Sequence, residues 1–149
     1  ITMTTINITA GPTKSYMLAS IVALIIGTSA FGIGLFNAQM PINEKGYYLI
    51  ILLYGLFSMV SLQKTIRDKM EGIKTSKAYY LMAWASSGIA IALLVLGLYN
   101  ADLLLSEKGF YAMSYVLSLF AAITVQKNIR DKTQNEDDEK SELIDETNI

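Results

Sequence analysis

Long runs without a single Asp, Glu, Lys or Arg alternate along this chain with short charged segments. The uncharged runs cover residues 15–43, 46–63, 78–101 and 109–126. An α-helix rises about 1.5 Å per residue and the hydrocarbon core of a bilayer is about 30 Å thick, so about 20 apolar residues span it. Each run reaches that length, the second and fourth barely. The pattern predicts four transmembrane helices, at residues 16–36, 46–63, 78–99 and 109–126. Small residues in the first and third are spaced for close helix contact: Ala30 and Gly34 lie four apart, as do Ala83 and Ser87, and Ser86 and Ala90. In lipid, helices gain little hydrophobic drive toward each other, and small residues let their backbones approach. The first and third spans are therefore expected to form the packing core.

A second pattern is an internal repeat. Shifted by 63 residues, positions 34–69 align without a gap on 97–132, with 16 identities in 36. Shared hydrophobicity does not account for this, because polar residues carry the match: Asn37 with Asn100, Glu44-Lys45-Gly46 with Glu107-Lys108-Gly109, Gln63-Lys64 with Gln126-Lys127, and Ile66-Arg67-Asp68-Lys69 with Ile129-Arg130-Asp131-Lys132. Each copy holds two spans, so both cross in the same direction and are related by a pseudo-twofold axis along the membrane normal. The expected fold class is an all-α membrane protein with four transmembrane helices, arranged as two tandem parallel-repeat helical hairpins, 15–69 and 78–132. A segment 1–14 precedes them, a linker 70–77 joins them and a tail 133–149 follows.

Charge sets the orientation. Ten of the 12 Lys and Arg lie before the first span, between the second and third, or after the fourth; only Lys45 and Lys108 lie in the hairpin turns. That bias predicts cytoplasmic termini and linker, with both Glu-Lys-Gly turns outside. Tyr47, Tyr48, Phe110 and Tyr111 at the outer boundary, and Tyr16, Tyr79 and Tyr80 at the inner one, read as an aromatic belt. Residues 28–30, Thr-Ser-Ala, resemble a signal-peptide cleavage site, but the apolar run continues past them and the repeat needs this helix.

Composition narrows the chemistry. The chain has no Cys and no His, which removes thiol nucleophiles, disulfides, the usual zinc ligands and the imidazole base. The net charge of -1 conceals an acidic tail, whose last fourteen residues hold seven of the 13 acids. That tail is polar enough to favour disorder. No phosphate loop, metal-ligand spacing or paired intramembrane carboxylates appear, so neither a cofactor nor a catalytic site is expected. Nucleic acid is not an expected partner, since the basic loops are short and lie against the membrane.

The twice-used pattern Gly-Leu-aromatic-Asn-Ala, Glu-Lys-Gly-aromatic-Tyr and Gln-Lys-x-Ile-Arg-Asp resembles the YiaA/YiaB family of bacterial inner-membrane proteins, over roughly residues 16–132. The resemblance implies an inner-membrane protein of four spans. Where the family often has Trp before the Asn, this chain has Phe36 and Tyr99, which leaves no indole for any role there.

Each shared motif has a structural and a functional reading. Asn43 and Ser106 suit N-caps, and Glu44 and Glu107 then meet a positive helix end, a gain of about 0.3–1 kcal/mol. Gly46 and Gly109 lower helix propensity and point to close backbone approach. The functional alternative is that Glu44, Lys45, Glu107 and Lys108 bind a ligand or an extracytoplasmic partner. Asn37 and Asn100 either end their helices or pair across the axis. On the inner side, Lys64 with Asp68, Arg67 with Glu71 and Lys127 with Asp131 form i,i+4 pairs on a solvated helix end. Alternatively, Lys64, Arg67, Lys69, Lys127, Arg130 and Lys132 contact anionic lipid headgroups, at about 1 kcal/mol each. The primary expectation is a non-catalytic scaffold whose partners are the lipid bilayer, a second copy or other membrane proteins. The alternative is a small transporter or channel acting as an oligomer, against which stands the lack of any charged group within the spans.

Overall fold

The computed structural model describes residues 11–148. Among them every regular element is an α-helix: α1 Lys14–Asn37, α2 Ile42–Met70, α3 Lys77–Asn100 and α4 Leu105–Thr147. All four contain a window long and apolar enough to cross a membrane. Most of the expected segment 1–14 lies outside the described residues.

The helix ends follow from local chemistry. The Thr13 hydroxyl caps α1 by accepting from the Tyr16 N–H at 3.2 Å. At the end of α2, Gly72 takes a left-handed φ of 77°, and the Ile73 N–H donates back to the Asp68 carbonyl at 2.9 Å. A side chain at Gly72 would be strained in that conformation. Asn43 and Ser106 do not cap α2 and α4. Those helices start behind Pro41 and Leu104, whose carbonyls accept from the Glu44 and Lys108 N–H groups at 3.0 Å. Proline has no N–H to leave unpaired and its ring fixes φ, so a helix can begin directly after it. Glu44 and Glu107 still fall in the first turns.

The two helices of each hairpin touch only lightly. Instead α1 packs along α4, α3 packs along α2, and α2 meets α4 at the centre. The order across the bundle is α1, α4, α2, α3, so the first helix of each repeat lies on the second helix of the other. The first and third spans therefore do not form the packing core; they flank the bundle and scarcely meet. Their small residues do permit close packing, but against α4 and α2. A Cβ on Gly27 would stand 3.0 Å from the Ser118 backbone nitrogen, Gly34 lies under Phe110 and Tyr111, and its repeat counterpart Gly97 lies under Tyr47 and Tyr48. Rings on α2 and α4 need the smallest residues opposite them, and the flanking helices supply these.

Two of the presumed belt residues belong to this core. Tyr48 and Tyr111, equivalent in the repeat, are buried and stack at 6.2 Å with 14° between ring planes, while Tyr47 and Phe110 stay exposed. Phe31 meets the edge of Tyr111 at 5.6 Å. The tyrosine hydroxyls donate to second lone pairs of helix carbonyls: Tyr111 to Gly34 at 2.7 Å, Tyr115 to Ile51 at 3.1 Å and Tyr47 to Leu93 at 2.7 Å. Such interhelical bonds stabilise a bundle by about 0.6 kcal/mol each in lipid.

The tail, whose composition favours disorder, instead continues α4 to Thr147. Gln134, Glu136, Glu139, Lys140 and Glu142 are strong helix formers and are exposed, so this stretch rests on propensity rather than packing.

Gly55 faces the Tyr115 ring, and a Cβ there would collide with the Tyr115 hydroxyl. Gly55→Ala is expected to lower the melting temperature in detergent, at a cost of about 1–3 kcal/mol, with Tyr115→Phe in that background recovering part of the loss. An unchanged melting temperature would show that Tyr115 is not seated against α2.

Candidate functional site at the ends of the bundle

The bundle has a loop end, with the linker and described terminal segments, and a turn end, with both hairpin turns. At the loop end α2 and α4 leave the apolar band side by side, which brings the two Gln-Lys-x-Ile-Arg-Asp copies together. Arg67 of α2 donates to Asp131 of α4 and, at 2.7 Å, to Glu71. Arg130 of α4 donates to Asp68 at 2.6 Å and to Glu71 at 2.8 Å. Lys64 holds Asp68 at 3.0 Å and Lys127 holds Asp131 at 3.1 Å. The three i,i+4 pairs expected from spacing are all present. The crossed pairs were not legible, because they depend on α2 and α4 being neighbours. The available signal was that Asp68 and Asp131 recur at equivalent positions, one residue from a recurring Arg.

This network is partly desolvated: the Asp68 side chain is 9% exposed and those of Arg67 and Arg130 about 20%. Removing one member of such a network leaves its partner with an uncompensated charge, which costs more than losing a surface pair. One turn deeper, Asn128 is 1% exposed and its amide donates to Ser20 Oγ at 3.2 Å, tying α4 to α1. Of the remaining basic residues, Lys69 sits 3.9 Å from the Tyr80 ring and Lys132 is exposed. Thus Arg67 and Arg130 direct their guanidinium groups largely between helices, while Lys64 and Lys127 remain about half exposed.

At the turn end the structure separates the eight sequence-singled residues. Asn37 and Glu107 line an open groove of about 850 Å³ with Gln39, Asp102, Ser106 and Tyr111. Lys45 donates to the Phe36 carbonyl at 3.0 Å and so caps α1, a role spacing did not suggest. Asn100 donates to its own helix at Leu96, at 3.0 Å, which fits helix termination and not pairing with Asn37. Among the described residues nothing stands within 4 Å of where a Cβ of Gly46 or Gly109 would be, so neither glycine mediates a close approach there. Lys108 is half-buried and Glu44 exposed.

The clamp carries a pH signature. The bond from Lys64, assisted by Arg130, holds Asp68 below its ordinary value of 3.8 against the effect of burial. Arg67 and Arg130 lower Glu71 from 4.5. Burial raises Asp131, but the bonds from Arg67 and Lys127 outweigh it and hold the carboxyl below 3.8. A carboxylate held low in the fold contributes stability that is complete above its ordinary value and is lost as pH falls through the folded-state value. The melting temperature in detergent is therefore expected to be level from about pH 7 to 5 and to fall below about pH 4. Asp131→Asn should lower the plateau by about 1–2 kcal/mol and make the acid fall shallower. An identical acid profile in the variant would contradict the clamp.

Comparison with known proteins agrees with this architecture. The model of the yiaA/B two helix domain matches residues 16–68 and again 79–131. The chain is 53% identical over 117 residues to the inner membrane protein YiaA of Escherichia coli (strain K12), covering 78% of this chain and 81% of that one. It is 34% identical over 60 residues to the uncharacterized membrane protein YubF of Bacillus subtilis (strain 168), covering 40% of this chain and 69% of the relative. No solved structure matches. Two matched domains, each supplying one helix to either side of a shared centre, and a relative alike over most of both chains establish that this multi-pass inner-membrane protein belongs to the yiaA/B two-helix-domain family.

Proposed function

We propose that this chain is a non-catalytic membrane scaffold whose termini and linker face the cytoplasm and whose turn end engages an extracytoplasmic partner. One observation carries the reading: the interior of the apolar band is packed with Phe31, Tyr48, Tyr111 and Tyr115, and every Asp, Glu, Lys and Arg of the sequence stands outside the uncharged runs. Ion-coupled transport ordinarily relies on an ionisable group inside the membrane, which persists there despite costing about 2.5–3.5 kcal/mol. Acid–base catalysis likewise needs a free titratable group at the reacting atoms, and the buried Tyr111 and Tyr115 hydroxyls are engaged on the carbonyls of Gly34 and Ile51. The ten-to-two distribution of basic residues supports cytoplasmic placement of the loop end.

The turn-end groove is the part of this rigid unit best suited to a partner. Its polar lining, Asn37, Gln39, Asp102, Ser106 and Glu107, offers hydrogen-bonding groups of mixed kind, and the carboxylates favour a basic segment.

Photo-crosslinkers at Asn37 and Lys108, activated in native membranes and read by mass spectrometry, test the reading. A discrete adduct that disappears in Glu107→Ala but persists in Glu44→Ala is expected. Adducts to lipid alone, together with solute flux through the purified protein in vesicles, would contradict a scaffold and favour a transporter.

A further inference from the structure

We propose that the hollow between the start of α1 and the cytoplasmic extension of α4 binds the phosphate headgroup of one anionic phospholipid per chain. This inference depends on the chain spanning a bilayer and is independent of what the turn end binds.

The hollow has a volume of about 450 Å³, and its polar lining is Tyr16, Arg67, Lys127, Asp131, Gln134 and Asn135. Its depth matches the headgroup layer. Tyr16 opens the first span and Lys127 is the first residue beyond the fourth, so the floor lies at the hydrocarbon boundary. From Lys127 to Asn135 the helix climbs about 12 Å, which spans the polar layer of one leaflet, about 5–8 Å deep. A molecule filling the hollow is thus in reach of the lipid phase.

The lining presents donors. Lys127 Nζ uses one of its three N–H groups on Asp131, at 3.1 Å. Gln134 accepts from Arg67 through Oε1 at 3.3 Å, which leaves its amide N–H groups turned to other use. The Asn135 side chain adds a second amide and packs over Gly11, where a Cβ would collide with it. Phosphate oxygens only accept, so donors and a surplus of positive charge are the complement they require. Among the lining residues Arg67 and Lys127 stand against Asp131 alone; Glu71, which also accepts from Arg67, lies outside the lining.

The repeat supplies an internal control. The pseudo-twofold counterparts of Lys127, Arg67 and Asp131 are Lys64, Arg130 and Asp68, but the counterpart of Gln134 is Glu71. Glu71 bridges the two arginines, accepting from Arg130 at 2.8 Å and from Arg67 at 2.7 Å, whereas Gln134 brings no charge. Where the second repeat has a neutral amide, the first has a carboxylate. The equivalent positions therefore differ by one charge, and it is the neutral amide of Gln134, not the carboxylate of Glu71, that lines the hollow, with Lys127 and without Lys64.

The test uses the full chain in neutral detergent, with thermal stabilisation followed against short-chain phosphatidylglycerol, short-chain phosphatidylcholine and inorganic phosphate, and native mass spectrometry to count bound lipid. Phosphatidylglycerol is expected to stabilise at lower concentration than phosphatidylcholine, with one molecule retained per chain. Lys127→Gln should raise the half-effect concentration about fivefold, the equivalent of the roughly 1 kcal/mol that a basic side chain contributes near a membrane surface. Gln134→Glu, an exposed change that leaves the clamp bonds of Lys127 in place, should do at least as much, while Lys64→Gln should leave the concentration unchanged. Equal stabilisation by the two lipids would overturn the proposal, as would equal effects of Lys64→Gln and Lys127→Gln. Inorganic phosphate acting as strongly as the lipid would assign the hollow to a free anion instead.

Discussion

Two crossed ion pairs, Arg67 with Asp131 and Arg130 with Asp68, join α2 to α4 just beyond the apolar band, and the packing of the spans shares that register. With those helices paired at the centre, Tyr48 stacks on Tyr111, and Tyr115 reaches the Ile51 carbonyl across the seam. The outer faces of the central pair then carry rings that need shallow partners. Gly34 and Gly27 of α1 meet α4, and Gly97 of α3 meets the rings of α2. In lipid no hydrophobic force selects one helix arrangement over another, so close packing and a few directed polar bonds must do so.

That arrangement separates the covalent repeat from the packing unit. A 36-residue match with 16 identities revealed two hairpins, and four uncharged runs revealed the spans, because hydropathy and repetition are written along the chain. Which helices touch is not written there. The small residues of α1 and α3 announced that something packs closely on them, without saying what. Tyr48 looked like an interfacial ring because it begins a span; its burial follows from facing its own counterpart. Lys64–Asp68 and Lys127–Asp131 were legible as spacing, whereas Arg67–Asp131 required knowing the neighbour. Pro41 displaced the expected cap at Asn43 by local backbone chemistry that capping preferences alone do not contain.

Interleaving also bears on what the protein can do. Neither hairpin encloses a core of its own, so the two domains form one mechanical unit. A unit of this kind, packed with rings and held by a charge clamp at one end, supports the scaffold proposed above. The two ends differ in chemistry, the turn end open and lined by Asp102 and Glu107, the loop end closed by a clamp of four cations and three carboxylates. Just beyond the matched stretch, Glu71 and Gln134 stand at equivalent positions and differ by one charge.

The interleaved packing is tested most directly by joining α1 to α4. The sequence has no cysteine, so Gly27→Cys with Ser118→Cys introduces one defined pair, at a place where a Cβ on residue 27 would lie 2.7 Å from Ser118 Oγ and 3.0 Å from its backbone nitrogen. That proximity puts the two residues within disulfide reach once α1 moves out slightly to admit the new Cβ. With a protease site inserted after Gly72, the oxidised protein is cut in the linker and run under denaturing, non-reducing conditions. Fragments that stay joined until a reductant is added are the predicted result; fragments that separate without reductant would mean that each hairpin packs on itself and would contradict the account.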